Sequence, residues 1–245
     1  MTTTARLRDD VGRDRSALQQ MAADESMLDE VSAGATAVLR LYTWSRPALS
    51  LGRFQADEDA DADACRRHGV EIVRRPSGGR ALLHGGDLTY AIALARPAEP
   101  VHATYALIGG ALVDGLARLG VQAEIARHDG PSGPACLTGV AGADLRVGDR
   151  KLCGSAMVRR GWAVLQHGSI LLERLALDES DVLHSTDRRA LHRATVTLEE
   201  LGATCEPRTV ARALEEGFSS TLDLDLHLRS SAPLPSAATG PSLQR

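Results

Sequence analysis

Lysine is almost missing from this chain. Of 28 basic residues in 245, Lys151 is the single lysine and the rest are arginine. Lysine presents a compact ammonium and arginine a broad planar fork, so a lone lysine marks a place where the fork does not serve. Taken by itself, it is equally an ordinary turn residue beside Arg150. Aromatic residues are scarce at 3%, so the core has to be built from Leu, Val, Ile and Ala. There is no excess of positive charge. The formal net charge of −4 gives no general attraction to nucleic acid or anionic membrane. No apolar run approaches the ~20 residues that span a bilayer. The first residues, Met1-Thr2-Thr3-Thr4-Ala5-Arg6, lack the apolar stretch of a secretion signal, so a cytoplasmic protein is expected. The four cysteines, Cys65, Cys136, Cys153 and Cys205, form no C-x-x-C pair. That speaks against a zinc site or a disulfide framework and leaves one of them available as a nucleophile. No metal site is expected.

Hydrophobic content of 43% and charge of 24% are those of an ordinary globule. Apolar spacing predicts an amphipathic helix from Asp14 to Val31. Strands are expected at 37–42 and 48–52. An acidic helix follows over 56–68, with acids early and bases late as the helix dipole favours. Strands are expected at 70–74, 80–84 and 87–94, then a helix at 104–119 and a strand at 121–126. Residues 128–143 are rich in Gly, Pro, Ser and Thr. A long irregular stretch inside a chain of this size is uncommon unless functional. Strands follow at 144–148, 151–158 and 162–172, the last two pairing. Leu177 to Ala194 reads as helical, Leu198 to Gly202 as a turn or helix start, and 207–222 as a final helix. Residues 1–10 and 226–245 are expected to be disordered, leaving one domain over 11–225. Helices and strands mix without regular alternation, so the class is α+β, with a central mixed, largely antiparallel sheet flanked by helices.

Three stretches carry chemistry. The first runs Arg74-Arg75-Pro76-Ser77-Gly78-Gly79-Arg80-Ala81-Leu82-Leu83-His84. A Gly-Gly turn lets backbone N–H groups approach a ligand, and the arginines suit a carboxylate or phosphate. The same residues also make an ordinary hairpin. The second is Gly85-Gly86-Asp87-Leu88-Thr89-Tyr90; His84 before it either lines a pocket or is a hydrogen-bonded strand end. The third is Gly148 to Ala156, followed by Gln166-His167-Gly168-Ser169-Ile170-Leu171. It sets Lys151, Cys153 and Gly154-Ser155-Ala156 beside a cleft. His167 is a pocket residue or a turn histidine.

These stretches together resemble the biotin/lipoate A/B protein ligase family. The family's first signature is similar to R-R-x-[ST]-G-G-x-A-[VL]-x-H followed by [DNE]-L-[TN]-Y, matched by Arg74 to His84 and Asp87 to Tyr90. Its second resembles D-x-x-x-x-G-x-K-x-x-G-S-A and then H-G-[ST]-[IL]-L. Here the stretch from Asp144 to Ala156 brings Lys151 to the required lysine, and His167 to Leu171 follow. A weaker match is Leu49 to Gln55. The likeness covers roughly residues 14–220. It implies the class II biotin/lipoyl-ligase fold, with a tunnel for a medium-length acyl chain. It also implies attachment of an octanoyl or lipoyl group to a lysine of a lipoyl carrier domain. Lys151 would then touch the acyl carbonyl. Arg74, Arg75, Ser77, Gly78, Gly79, His84, Gly154, Ser155, Ala156, His167 and Gly168 would hold the substrate.

The family divides by mechanism. Ligases activate a free acid with ATP and Mg. Octanoyltransferases take the acyl group from acyl carrier protein through a cysteine thioester and need no cofactor. Cys136, 15 residues before Lys151, sits where one transferase subgroup resembles it in carrying its nucleophile, with Leu137 in place of that subgroup's usual aromatic. A loop thiol near Lys151 would gain thiolate character; the alternative is a cysteine packed as a small hydrophobe. After residue 222 little chain remains for the accessory domain of many ligases. Ala141-Gly142-Ala143-Asp144 lacks the asparagine of the ligases' G-R-N-D. The expectation is therefore an octanoyltransferase with Cys136 and Lys151 as catalytic residues. ATP-dependent lipoate ligation and a non-catalytic acyl- or carrier-binding protein are the alternatives. The expected partners are octanoyl-acyl carrier protein and the lipoyl domains of 2-oxoacid dehydrogenases or the glycine cleavage H protein.

Overall fold

Neighbouring residues of a strand face opposite sides of a sheet, and here both sides are apolar. The structure, a computed structural model, describes residues 2–96, 100–126 and 144–228. Among them, one sheet holds, in spatial order, β11 (Leu224–Leu228), β1 (Thr3–Asp10), β2 (Ala37–Tyr42), β6 (Asp87–Ala95), β10 (Ala163–Leu171), β9 (Arg150–Arg160), β8 (Leu145–Val147) and β7 (Glu124–Ile125). β11, β1 and β2 run parallel. The remaining neighbours are antiparallel. A smaller sheet sets β3 (Ala48–Leu51) between parallel β4 (Glu71–Arg74) and antiparallel β5 (Leu82–His84).

One face of the large sheet, with Leu39, Leu41, Tyr90, Ile92 and Ile170, packs on α3 (Val101–Arg118) and α5 (Pro207–Leu222) through Ile108, Leu112, Leu214 and Phe218. The other face, with Val38, Tyr42, Ala91, Ala93 and Leu165, packs on Met21, Met27 and Leu28 of α1 (Ala17–Ser32). Every residue of β2 is buried as a result. α3 and α5 cross closely because glycine lines the crossing. A Cβ at Gly217 would stand 2.4 Å from the Ala111 carbonyl oxygen and 2.5 Å from the Gly115 nitrogen. The small sheet has its own core of Leu49, Leu51, Cys65 and Val182.

The α+β class and the mixed sheet are as expected, and β9 and β10 pair from Ala163↔Arg160 to Ile170↔Cys153. Several expectations are corrected. Residues 3–10 are not frayed. They form β1, whose neighbours on both sides give its backbone hydrogen-bond partners. At the other end, Leu226 to Leu228 belong to β11, and 229–245 lie outside the described residues. α1 begins at Ala17 because Ser16 caps it: Ser16 Oγ accepts from the Gln19 N–H at 3.3 Å and Gln19 Oε1 from the Ser16 N–H at 2.9 Å. The acidic helix divides into a 3-10 turn, Asp57–Asp59, and α2 (Ala62–His68). Asp61 caps α2, and left-handed Gly69 ends it at φ 66°. The expected helix from Leu177 to Ala194 is a 3-10 turn, Glu179–Asp181, and a short α4 (Arg188–Ala194). Asp178 and Asp187 each cap a new start, and Ser185 between them has φ 57°. The loop expected at 128–143 lies outside the described residues.

Candidate active site

Charged side chains rarely go fully inside unless paired, so the buried ones show what the fold is built to hold. Two histidines, each backed by a buried aspartate, face one cleft. His84 closes β5, and its Nδ1 lies 2.9 Å from Asp87 Oδ2 at the start of β6. Its Nε2 lies 2.9 Å from Ser50 Oγ on β3. Trp44 stacks on the imidazole at 4.0 Å and 17°, and its indole N–H donates to Thr89 Oγ1 at 2.9 Å. Thr89 in turn donates to Asp87 Oδ2 at 2.9 Å, and the Gly85 N–H to Oδ1 at 2.9 Å. His167 on β10 repeats the pattern. Its Nδ1 is 2.9 Å from Asp24 Oδ2 on α1, and its Nε2 is 2.6 Å from Ser77 Oγ.

An ionised carboxylate only accepts, so each Nδ1 donates to its aspartate. The carboxylates do stay ionised. Burial pushes Asp87 upward, but the charge and hydrogen bond of His84, with Ser169 and the Gly85 N–H, hold it below the usual carboxylate range. Burial likewise pushes Asp24 upward, and the His167 hydrogen bond and the Arg40 charge outweigh it. The two aspartates differ in company. Asp24 also holds Arg40, whose Nη1 is 2.7 Å from its Oδ1, and Arg40 continues to Asp10 at 2.8 Å. Asp87 has the neutral donors and His84 just named.

The cleft encloses about 380 Å³ with its mouth. Met21, Trp44, Leu82 and Ala156 make much of its wall apolar, with Ser50, Thr89 and Ser169 between them. Of the expected substrate-binding residues, Arg75, His84, Gly154, Ser155, Ala156, His167 and Gly168 line it. Glycine opens the strands there: a Cβ at Gly168 would meet the Gly154 carbonyl oxygen at 2.4 Å. Ser77 stands behind the wall, on His167. Arg74 turns away, donating to the Gln55 carbonyl at 2.8 Å and pairing with Asp57. Gly78 and Gly79 fold the turn back onto the protein. Arg75 donates to the Gly78 carbonyl at 2.9 Å. Left-handed Gly79 (φ 91°) presses its carbonyl against Gly52, where a Cβ would be 2.0 Å away.

Lys151 is buried, with its Nζ 2.8 Å from Asp144 Oδ2. Asp144 Oδ1 accepts the Ser155 N–H at 3.0 Å, which ties Lys151 to the Gly154-Ser155-Ala156 wall. The β8–β9 register slips by one residue here, Leu145 pairing with Cys153 and Arg146 with Lys151. Such bulges re-aim side chains beside sites. Cys136 lies outside the described residues. Cys153, expected in the cleft wall, instead packs in the core under α3 and α5. Cys65 is buried in the small core, where burial pushes its thiol up.

Asp24, Asp87, Ser50 and Trp44 were not foreseen as site residues. Asp24 left a signal: it shares the buried face of α1 with Met21 and Leu28, and an acid on an apolar stripe needs a buried partner. A second recess, about 480 Å³ with the open solvent at its mouth, is lined in part by Asp87, Leu171, Glu179 and His192. Burial pushes the Glu179 carboxyl up to about 7. Among the described residues, no group of three His, Cys, Asp or Glu is placed to hold a metal ion, and no helix is long and apolar enough to cross a membrane.

Residues 16–219 match the model of the lipoyl protein ligase A/B catalytic domain. The chain belongs to this family. Its similarity to octanoyltransferase LipM of Kyrpidia tusciae is 37% identity over 229 residues, 84% of each chain. Among matching LipM relatives the share of the relative covered runs from 60% to 84%, and is 62% for that of Carboxydothermus hydrogenoformans. Protein Ta0514 of T. acidophilum, solved with bound lipoic acid, superposes with a TM-score of 0.79 at 25% identity, over 95% of this chain and 90% of that one. Lipoate-protein ligase A bound with ATP superposes with a TM-score of 0.82 at 24% identity and the same coverage, a likeness of fold. The family's two signatures therefore fall on the two walls of one cleft.

Proposed function

We propose that this chain is an octanoyltransferase, moving an octanoyl group from acyl carrier protein to the lysine of a lipoyl domain through a thioester on Cys136. The observation that carries the reading is its likeness, along most of both chains, to an enzyme named octanoyltransferase. The cleft agrees with it. Its apolar wall suits an eight-carbon chain, each buried methylene contributing about 0.8 kcal/mol. Arg75, His84, Gly154, Ser155, Ala156, His167 and Gly168 bind the acyl group directly. Ser77 and the Gly78-Gly79 turn hold that wall in place, and Arg74 anchors the turn. Lys151, fixed by Asp144, supplies a positive charge for the oxyanion, a kind of contact worth about 2.7–4 kcal/mol per donor. The reaction needs no cofactor. Its carrier partners, the lipoyl domains of 2-oxoacid dehydrogenases or the glycine cleavage H protein, put it in the cytoplasm.

The test is intact mass after incubation with octanoyl-acyl carrier protein in the absence of ATP. The expected result is a gain of one octanoyl group that is absent in Cys136→Ala. Lipoylation of a carrier domain that requires ATP, Mg and lipoate, with no adduct, would make the chain a ligase. Binding without either reaction would make it an acyl- or carrier-binding protein.

A further inference from the structure

The cleft assigned above to the acyl group suits only one of the two substrates. Among the described residues no aspartate or glutamate lines it, and Arg75 does. A lysine side chain arrives as an ammonium on four methylenes, and such a group needs an acceptor, best a carboxylate, when it leaves water. The neighbouring recess has what the cleft lacks. Asp87, Glu173, Asp178 and Glu179 line it, against Arg174 and His192. Leu83, Leu171, Leu175 and Leu191 supply its apolar wall.

Most of that charge is already engaged. Asp87 meets His84 at 2.9 Å. Asp178 Oδ2 lies 3.1 Å from both Arg188 Nε and His192 Nε2. Arg174 is turned to Glu200 at 2.7 Å, and Glu173 is exposed. Glu179 is the exception. It is buried, its Oε1 accepts the Leu83 N–H at 3.3 Å, and among the described residues no Arg, Lys or His pairs with it. Burial favours its neutral form, and a cation beside it would favour the charged one. We propose that this recess receives the acceptor lysine of the carrier domain, with its ammonium on Glu179 and its methylenes along the leucines, as the side chain approaches the acyl group.

The recess stands next to the cleft. Asp87 is common to both, lining the recess and holding His84, which lines the cleft. Thr197 lines the recess too, and its neighbour Val196 donates its N–H to the Lys151 carbonyl at 2.9 Å. The glycine pair after His84 shapes the recess. A Cβ at Gly86 would stand 2.6 Å from the Glu173 carbonyl oxygen and 3.2 Å from Leu175 Cγ, so only glycine lets those two segments of its wall meet. A free alkylamine has the same chemistry as the lysine side chain. The wall shared at Asp87 favours the carrier's lysine, because a side chain that must reach the acyl group has first to stand beside the cleft.

The inference rests on the acyl-transfer reading above, and its test does not involve the thioester. Titration calorimetry measures the affinity of the full chain for a lipoyl domain, with the domain's acceptor lysine intact or replaced by methionine, an uncharged side chain of similar length. Glu179→Gln is expected to weaken binding of the lysine domain about 10-fold and to leave the methionine domain unchanged. A second measurement needs no variant of this chain. At about pH 6, binding of the lysine domain should release close to one proton as Glu179 ionises, read from buffers of different ionisation enthalpy, and the methionine domain should release none. If Glu179→Gln weakens both domains equally, or both release the same number of protons, Glu179 only shapes the fold and the inference is overturned. Binding of n-butylamine that depends on Glu179, with no coupling to the domain's lysine, would give the recess to a free amine and overturn it too. An octanoyl adduct on the chain without that coupling would remove this inference and leave the acyl-transfer reading standing. No adduct and no binding of the lipoyl domain would remove both.

Discussion

Glu179 is a buried carboxyl, and burial lifts it from 4.5 to about 7. In the unfolded chain it titrates near its ordinary value. Between those two values the folded protein binds the proton and the unfolded chain does not, so stability falls as pH rises. The contribution is whole below about pH 4.5 and is lost as pH passes 7, a change of about 3 kcal/mol. Glu179→Gln, an uncharged isostere, should flatten urea midpoints across that window; a midpoint that still drifts by the same amount would place the titration elsewhere. At this scale the sequence was legible where a residue was rare and opaque where it was common. One lysine among 28 basic residues stands out by its rarity alone. Asp87 is one acid among 32, and its pairing with His84 depends on a turn between two different sheets. Asp24 could be read as misplaced on its helix, but its partners Arg40 and His167 lie 16 and 143 residues away.

The elements differ in how much local chemistry decides them. β2 and α5 occupy the limits read from the sequence, 37–42 and 207–222. β2 is a β-rich run between turns. In α5, Pro207 opens the helix and Glu206 caps it. The span 177–194 reads as helical by spacing, yet two aspartates each prefer to begin a helix, and the chain breaks between them. β1 has no strong pattern of its own and exists because β2 and β11 flank it. The α3–α5 crossing makes an expectation at this scale. Gly217→Ala sets a methyl 2.4 Å from a backbone oxygen, which can be relieved only by parting the helices. We expect a loss of about 1–3 kcal/mol in urea unfolding. An unchanged midpoint would mean that the helices part at no cost.

For the whole molecule, what sequence could not supply was which wall meets which. The signatures identified the family, but the cleft is assembled from α1, both sheets and the turn after β4, and that assembly is tertiary. The fold also spends a buried cation, Arg40, on joining parts distant in sequence: β1 through Asp10, β2 itself and α1 through Asp24. Removing residues 2–10 should therefore do more than trim an edge. It takes away the neighbour of β11 and one of Arg40's carboxylates. We expect the shortened chain to lose its cooperative thermal transition in circular dichroism; a transition kept within a few degrees would show β1 to be dispensable.

The pairing of β1 with β11 also sets an order of events during synthesis. Thr3 lies beside Leu224 and Leu7 beside Leu228. During synthesis β1 therefore waits for β11 to complete its edge. α3 must wait as well, because the side chains that cover it, Leu214 and Phe218, come later in the chain. Until then a nascent chain shows an open strand edge and an uncovered apolar helix face, the surfaces on which chaperones act.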